Sequence, residues 1–267
     1  MMAPAAGADA TDLKPEAAQG FDQYVRLTER RMQGELLPGG LFLWLDGLAE
    51  PSRGEAYARL QRGEVVSAKL WTIDPSGRSA TQGALIHHWV GTVFVPGVSL
   101  RQVLALLQDY DRHSEYYKPE VVKSKTLERT GNNFKVFLRL KREKIVTVVL
   151  DTEYAVHYHQ LDELHAFSES YSTRIAEVTR PDEADEQAMP PGKGQGFLWR
   201  LNSYWRFFEV NRGVYIQCEA VSLTRDIPTG LNWLVAPFIE SIPKESLEFT
   251  LLSTRSALMG GAFHSAK

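Results

Sequence analysis

The sequence predicts an α+β fold: a curved antiparallel sheet wrapped around a long C-terminal helix, with extra helices and strands at the N-terminus. Three observations predict it. A strand, GTVFV (91–95), runs directly into a helix, SLRQVLALLQDYD (99–111). Beyond them, alternating apolar and polar residues continue with few interruptions from 120 to 227, and consecutive strands joined by short turns are antiparallel neighbours. Finally, Leu247, Leu251, Thr254 and Leu258 recur at helical spacing, so the segment from Pro243 to Met259 has one apolar face. That face must bury against something, and the sheet is the only large partner.

In chain order, residues 1–18 are small, interrupted by proline and without periodicity, and read as disordered. Phe21, Tyr24, Val25, Leu27, Met32 and Leu36 then recur at roughly helical spacing and predict an amphipathic helix that Pro38-Gly39-Gly40 ends. An apolar run (41–48) and a second short helix follow. Strand patterns come next at 65–73 and 84–95, with DPSG (74–77) as the turn between them. Ser99 is the expected N-cap of the next helix, whose stripe is Leu100, Val103, Leu104 and Leu107. Strands are expected at 120–129, 133–143, 144–160, 166–178, 196–210 and 214–227. The polar, Pro/Gly-rich stretch 179–195 is expected to project into solvent. Pro243 fits the first turn of the final helix, which would leave Trp233, Leu234, Val235 and Phe238 before it as a lid, a membrane-touching patch or simple packing. Together these give a single domain over 19–260, with 19–83 as an N-terminal elaboration and 84–258 as the core.

Bulk composition excludes several functions. A net charge of −3 offers no electrostatic footprint for nucleic acid, and KREK (141–144) reads as a solvated hairpin end. Cys218 is the single cysteine, so no intramolecular disulfide and no cysteine-based metal site exist, and its strand setting makes it a buried, inert thiol. No apolar run reaches the length of a membrane span. The N-terminus lacks the apolar stretch of a signal peptide, though its alanine-rich start fits what remains after a signal is replaced; cytoplasmic and periplasmic locations both stay open. Neither a G-x-S-x-G elbow nor a phosphate loop occurs, and GKGQG (192–196) has no following helix. His157 and His159 share a strand face without a third ligand, His87 and His88 point to opposite faces, and His113 sits at a helix end. No cofactor, metal or catalytic residue is assigned.

VFVPGVSLRQVLALLQDYDRHSEYYKPEVVKSKTLER, with Asp109-Tyr110 closing its helix and Pro119, Val121 and Ser124 opening the next strand, resembles the start of bacterial START-like and polyketide cyclase-like domains. SLTRDIPTGL (222–231) is similar to the strand-to-helix junction of the same superfamily (SRPBCC, Bet v 1-like). The resemblance covers about 84–258 and implies the helix-grip fold, whose sheet and terminal helix enclose a cavity; the helix and strands ahead of residue 84 favour the START-like version. It also implies a hydrophobic partner such as a lipid, isoprenoid or aromatic compound, bound non-catalytically. A cyclase or dehydratase activity in the same cavity, and a filled-core interaction module, are the alternatives. Oligomeric state is not legible.

The strand GFLWRLNSYWRFFEV carries the site argument. Trp199, Leu201, Ser203, Trp205 and Phe207 share one face, assigned here to the cavity. The matching inward residues are Leu138 and Leu140, then Val148, Leu150 and Tyr154, then Tyr171 and Thr173, then Ile216, Cys218 and Ala220. Tyr154, Tyr171 and Ser203 are the candidate polar anchors, and Trp233 and Phe238 the candidate lid. Arg200, Asn202 and Arg206, with Arg174 and Arg225, define the opposite assignment: a cationic cavity suited to carboxylate or phosphate. Burying unpaired guanidinium is costly, so Arg225 is expected to pair with Asp226 or Glu219.

Overall fold

A computed structural model describes residues 12–37, 39–72, 84–143, 147–226 and 232–260, the side chains of 232–240 excepted. Helix α1 (Pro15–Glu35) opens with proline at its first position, where a missing N–H costs nothing. It starts earlier than the predicted Phe21, so residues 15–18 are helical rather than disordered. The reason is tertiary: Ala17 is buried with Phe21, Tyr24, Val25 and Met32 against Trp199, Tyr204, Val221 and Leu223 of the sheet. A single 3-10 turn (Trp44–Gly47) and α2 (Ser52–Gln61) form a second small cluster over Val66 and Phe94. Strand β1 (Val66–Lys69) precedes the turn predicted at 74–77, which lies outside the described residues.

Strand β2 (Ala84–Pro96) leads to α3 (Leu100–Leu107), where Ser99 and Gln102 form a reciprocal capping box. A 3-10 turn (Tyr110–Arg112) and the one-turn α4 (His113–Tyr116) follow. Strands β3 (Val121–Thr130), β4 (Asn133–Glu143), β5 (Thr147–Gln160), β6 (His165–Thr179), β7 (Gln187–Ala188), β8 (Arg200–Val210) and β9 (Gly213–Arg225) come next. The sheet runs β1-β2-β9-β8-β6-β5-β4-β3, antiparallel throughout, with β7 added to β6. Its ladder between β2 and β9 joins Ala84 to Arg225 at one end and Pro96 to Gly213 at the other.

The last helix, α5 (Asn232–Met259), begins well before the predicted Pro243. Pro243 therefore sits inside the helix rather than in its first turn, removing one donor where its ring borders the cavity described below. The stretch read as a lid or surface patch is backbone-helical, and the side chains of Trp233 and Phe238 lie outside the described residues. Helix α5 buries Leu247, Leu251 and Leu258 in the main core with β2, β9 and α3. It comes so close to β2 that a Cβ on Gly91 would lie 2.8 Å from Leu251 Cδ1 and 3.3 Å from Leu247 Cδ2.

The polar stretch 179–195 is largely exposed, as its composition implies, but it is anchored. It folds back over the sheet: Glu186 pairs with Arg139 at 2.8 Å, which also holds Asp151 through two bonds of 2.7 and 2.9 Å. A further correction concerns parity on β6. A bulge shifts the β5–β6 register between Glu153–Arg174 and Tyr154–Ser172, leaving Thr173 exposed as the extra residue. Inward parity is odd beyond the bulge and even before it, so Ser168 and Ser170 face inward and Tyr171 does not.

Candidate functional site

Between the concave face of the sheet and α5 lies a cavity of about 640 Å³, within the range of small-molecule sites. Its floor is built by strand alternation. Leu138 and Leu140 come from β4, Val148, Leu150 and Tyr154 from β5, Leu201, Ser203 and Trp205 from β8, and Cys218 and Ala220 from β9. The roof is Ile242, Pro243, Ser246, Leu247 and Thr250 of α5. Depth comes from small residues in register: Ser170 opposes Ser203, and Ser203 opposes Ala220, so three neighbouring strands leave space at one level.

Of the residues predicted to line a pocket, Leu138, Val148, Leu150, Tyr154, Ser203, Trp205 and Cys218 border this cavity. Tyr171 and Trp199 do not. Tyr171 lies ahead of the bulge, on the convex face, where its hydroxyl donates to Glu29 Oε1 of α1 at 2.9 Å. Trp199 precedes the first residue of β8; a left-handed turn at Gly196 (φ 70°) feeds it toward α1, into the cluster of Phe21 and Tyr24. In its place Phe197 and Leu198 border the cavity. That turn is held by the buried Glu177 carboxylate, which accepts the backbone N–H of Gln195 at 2.7 Å and of Phe197 at 3.1 Å.

The cationic assignment fails for Arg174, Arg200, Asn202 and Arg206, none of which borders the cavity, but holds for Arg225. Arg206 points to the convex face, donating to Glu35 Oε2 at 2.6 Å and to the Phe42 carbonyl at 2.8 Å. Glu219, expected as a partner of Arg225, instead holds Arg31 and, at 2.6 Å, His88 Nε2, whose other ring nitrogen meets Tyr24 Oη at 2.8 Å. Burial opposes ionisation of Glu219, but His88, Arg31 and Arg206 outweigh it and keep its carboxyl below the ordinary range. Arg225 itself borders the cavity.

Two groups of lining residues stand out from the rest of the cavity wall. Lys141, Arg142 and Phe197 border both cavity and solvent and mark the rim; Arg142 is paired there with Glu120 and, at 2.9 Å, with Glu245. At the far end Tyr110, His113, Tyr117 and Tyr158 form an aromatic pole, with ring centroids of Tyr110 and His113 4.5 Å apart and of His113 and Tyr117 5.0 Å apart. Strand alternation points to Tyr158, but no local pattern announces the pole as a unit, because α3, α4 and β5 bring its members together. Desolvation dominates every shift here. It pulls His113 down to about 4, so the imidazole is neutral at neutral pH, and pushes Tyr154 up to about 12. It also drives the Tyr110, Tyr117 and Cys218 protons to still higher pH. The pole is therefore uncharged and offers only aromatic, hydroxyl and imidazole contacts, while the charged members of the lining are Glu120, Lys141, Arg142 and Arg225.

No protein-family model matches the chain, and no curated protein matches it. Solved structures similar to it include a fragment of a STAR-related lipid transfer protein from Xanthomonas axonopodis, 17% identical with a TM-score of 0.47, covering 72% of this chain and 98% of that one. Another is the Zhui aromatase/cyclase from Streptomyces sp. R1128, 12% identical with a TM-score of 0.43, covering 68% of this chain and 99% of that one. A third is a START superfamily protein from Mycobacterium smegmatis, 10% identical with a TM-score of 0.42, covering 65% and 97%. With its strand order, its β2–β9 ladder and its long terminal helix on the concave face, the chain has a helix-grip fold.

Proposed function

We propose that this protein binds a hydrophobic small molecule, such as a lipid, an isoprenoid or an aromatic compound, in the cavity between sheet and α5. One observation carries the reading: a space of about 640 Å³ walled by leucine, valine, tyrosine and tryptophan side chains with few polar groups. Such a space is not the interior of a filled module, and filling it with apolar surface gains roughly 25 cal/mol per Å² removed from water, before ordering costs. Leu138, Val148, Leu150, Tyr154, Ser203, Trp205 and Cys218 are the proposed contacts. The cyclase alternative needs an acid–base pair aimed at the ligand. His113 and the pole tyrosines instead spend their protons on partners within the protein, which favours carriage over chemistry. Native mass spectrometry of the purified chain, followed by organic extraction, tests the reading. A stoichiometric apolar adduct, or tight uptake of an added hydrophobic dye that such molecules displace, is expected; neither adduct nor dye binding would overturn it.

A further inference from the structure

The aromatic pole has no proton to give. The Leu107 carbonyl can only accept, so both groups that reach it donate: Tyr158 Oη–H at 3.2 Å and His113 Nε2–H at 3.1 Å. The single hydroxyl hydrogen of Tyr158 is thereby used, and its 2.8 Å contact with Tyr110 must be donated by Tyr110. The helix side repeats the pattern. Thr250 donates to the Ser246 carbonyl and Thr254 to the Thr250 carbonyl, each at 2.8 Å. Thr254's hydrogen is committed, so the 3.0 Å bond between Tyr117 and Thr254 is donated by Tyr117. What the pole still offers is lone pairs on Tyr110 and Tyr117, beside a neutral imidazole.

We propose that the bound molecule presents a neutral hydrogen-bond donor, an alcohol hydroxyl, to the pole formed by Tyr110 and Tyr117, and that a carbonyl or carboxylate at that position is rejected. This rests on the carrier reading above and names the chemistry of its ligand. A hydroxyl donating to Tyr110 Oη or Tyr117 Oη satisfies a buried polar pair. A carbonyl there meets only acceptors and is left desolvated and unpaired. An ammonium could donate as well, but moving a cation into apolar surroundings costs far more than one hydrogen bond returns. The serines of the floor do not blur this selection, because Ser170 and Ser203 carry rotatable hydroxyls that donate or accept equally well. Lys141, Arg142 and Arg225 also line the cavity and donate only, so the pole's share of the discrimination is the part that its two hydroxyls carry.

The test is competition, against an apolar fluorescent probe, by hexadecanol, its methyl ether, a methyl ketone of the same chain length and palmitic acid, each titrated into the full chain. Hexadecanol is expected to bind about tenfold more tightly than the ether or the ketone, the ratio one buried hydrogen bond supports. In the Tyr110→Phe, Tyr117→Phe double variant, that ratio falls to near one, because hexadecanol loses the acceptors that the ether never used. A purely structural loss would weaken all four ligands alike and would count against the assignment. Equal affinities in the unaltered protein, or a preference for ketone or acid, overturn the proposal and leave apolar binding standing. Failure of all four to bind overturns both. The ratio measured on the unaltered chain decides the matter even if the double variant does not fold.

Discussion

At the scale of single residues, Ser203 shows how the cavity is made. It stands between Ser170 and Ala220 in register, so none of the three neighbouring strands sends a large side chain upward at that level. Ser203→Phe would place a ring in this space without displacing a packed neighbour. The expected outcome is loss of apolar probe binding by at least an order of magnitude, with an unchanged denaturation midpoint; retained binding would mean that the ligand sits elsewhere. Ser203 was legible from β8 alone, since alternation puts it with Leu201 and Trp205. Tyr171 and Trp199 were not. A bulge at Thr173 reverses parity along β6, and nothing in SESYSTRIAEV marks where the extra residue falls. Trp199 belongs to a turn set by Gly196, where a Cβ would lie 2.7 Å from that of Arg225, a constraint visible only once two distant segments meet.

Among the elements, α5 depends on what β2 lacks. Gly91 lets the helix settle onto the sheet, because any side chain there would run into Leu247 and Leu251. Gly91→Val is expected to destabilise the protein by about 1–3 kcal/mol, as overpacking does, and to alter probe affinity by shifting the roof. Urea denaturation and probe titration check both, and a variant matching the parent in each would show that α5 is not seated by this contact. The existence of the helix was clear from the Leu247–Leu258 stripe, but its start was not. Proline at 243 reads locally as a beginning, whereas here the helix runs through it. The convex layer was legible only as an amphipathic α1. Within its polar network, Arg31 and Glu35 are an i,i+4 pair on α1, but their links to Arg206, Glu219 and His88 join residues far apart in sequence, which no spacing rule connects.

Across the whole molecule, burial of neutral histidines shapes acid stability. His87, bonded to Thr224 Oγ1 at 2.9 Å, and His113 are both held at about 4 in the folded chain against an ordinary 6.5, by desolvation in each case and, for His87, by Lys69 as well. Between those values the unfolded chain takes up a proton at each site that the folded chain refuses. Stability is therefore full above 6.5 and falls as pH drops toward 4, by up to about 1.4 kcal/mol per pH unit for each histidine. Unfolding free energies measured across this window should show that slope, and His87→Asn with His113→Phe should flatten it; an unchanged slope would place the titration in other groups.

The pairing of β2 with β9 also has a bearing on biosynthesis. These strands stand at opposite ends of the core, yet Ala84 meets Arg225 and Pro96 meets Gly213. Contacts so distant along the chain form late and slow folding. A nascent polypeptide that has not yet released its last strand and helix therefore owns no chamber at all. The cavity can therefore enclose a molecule only after β9 and α5 are in place.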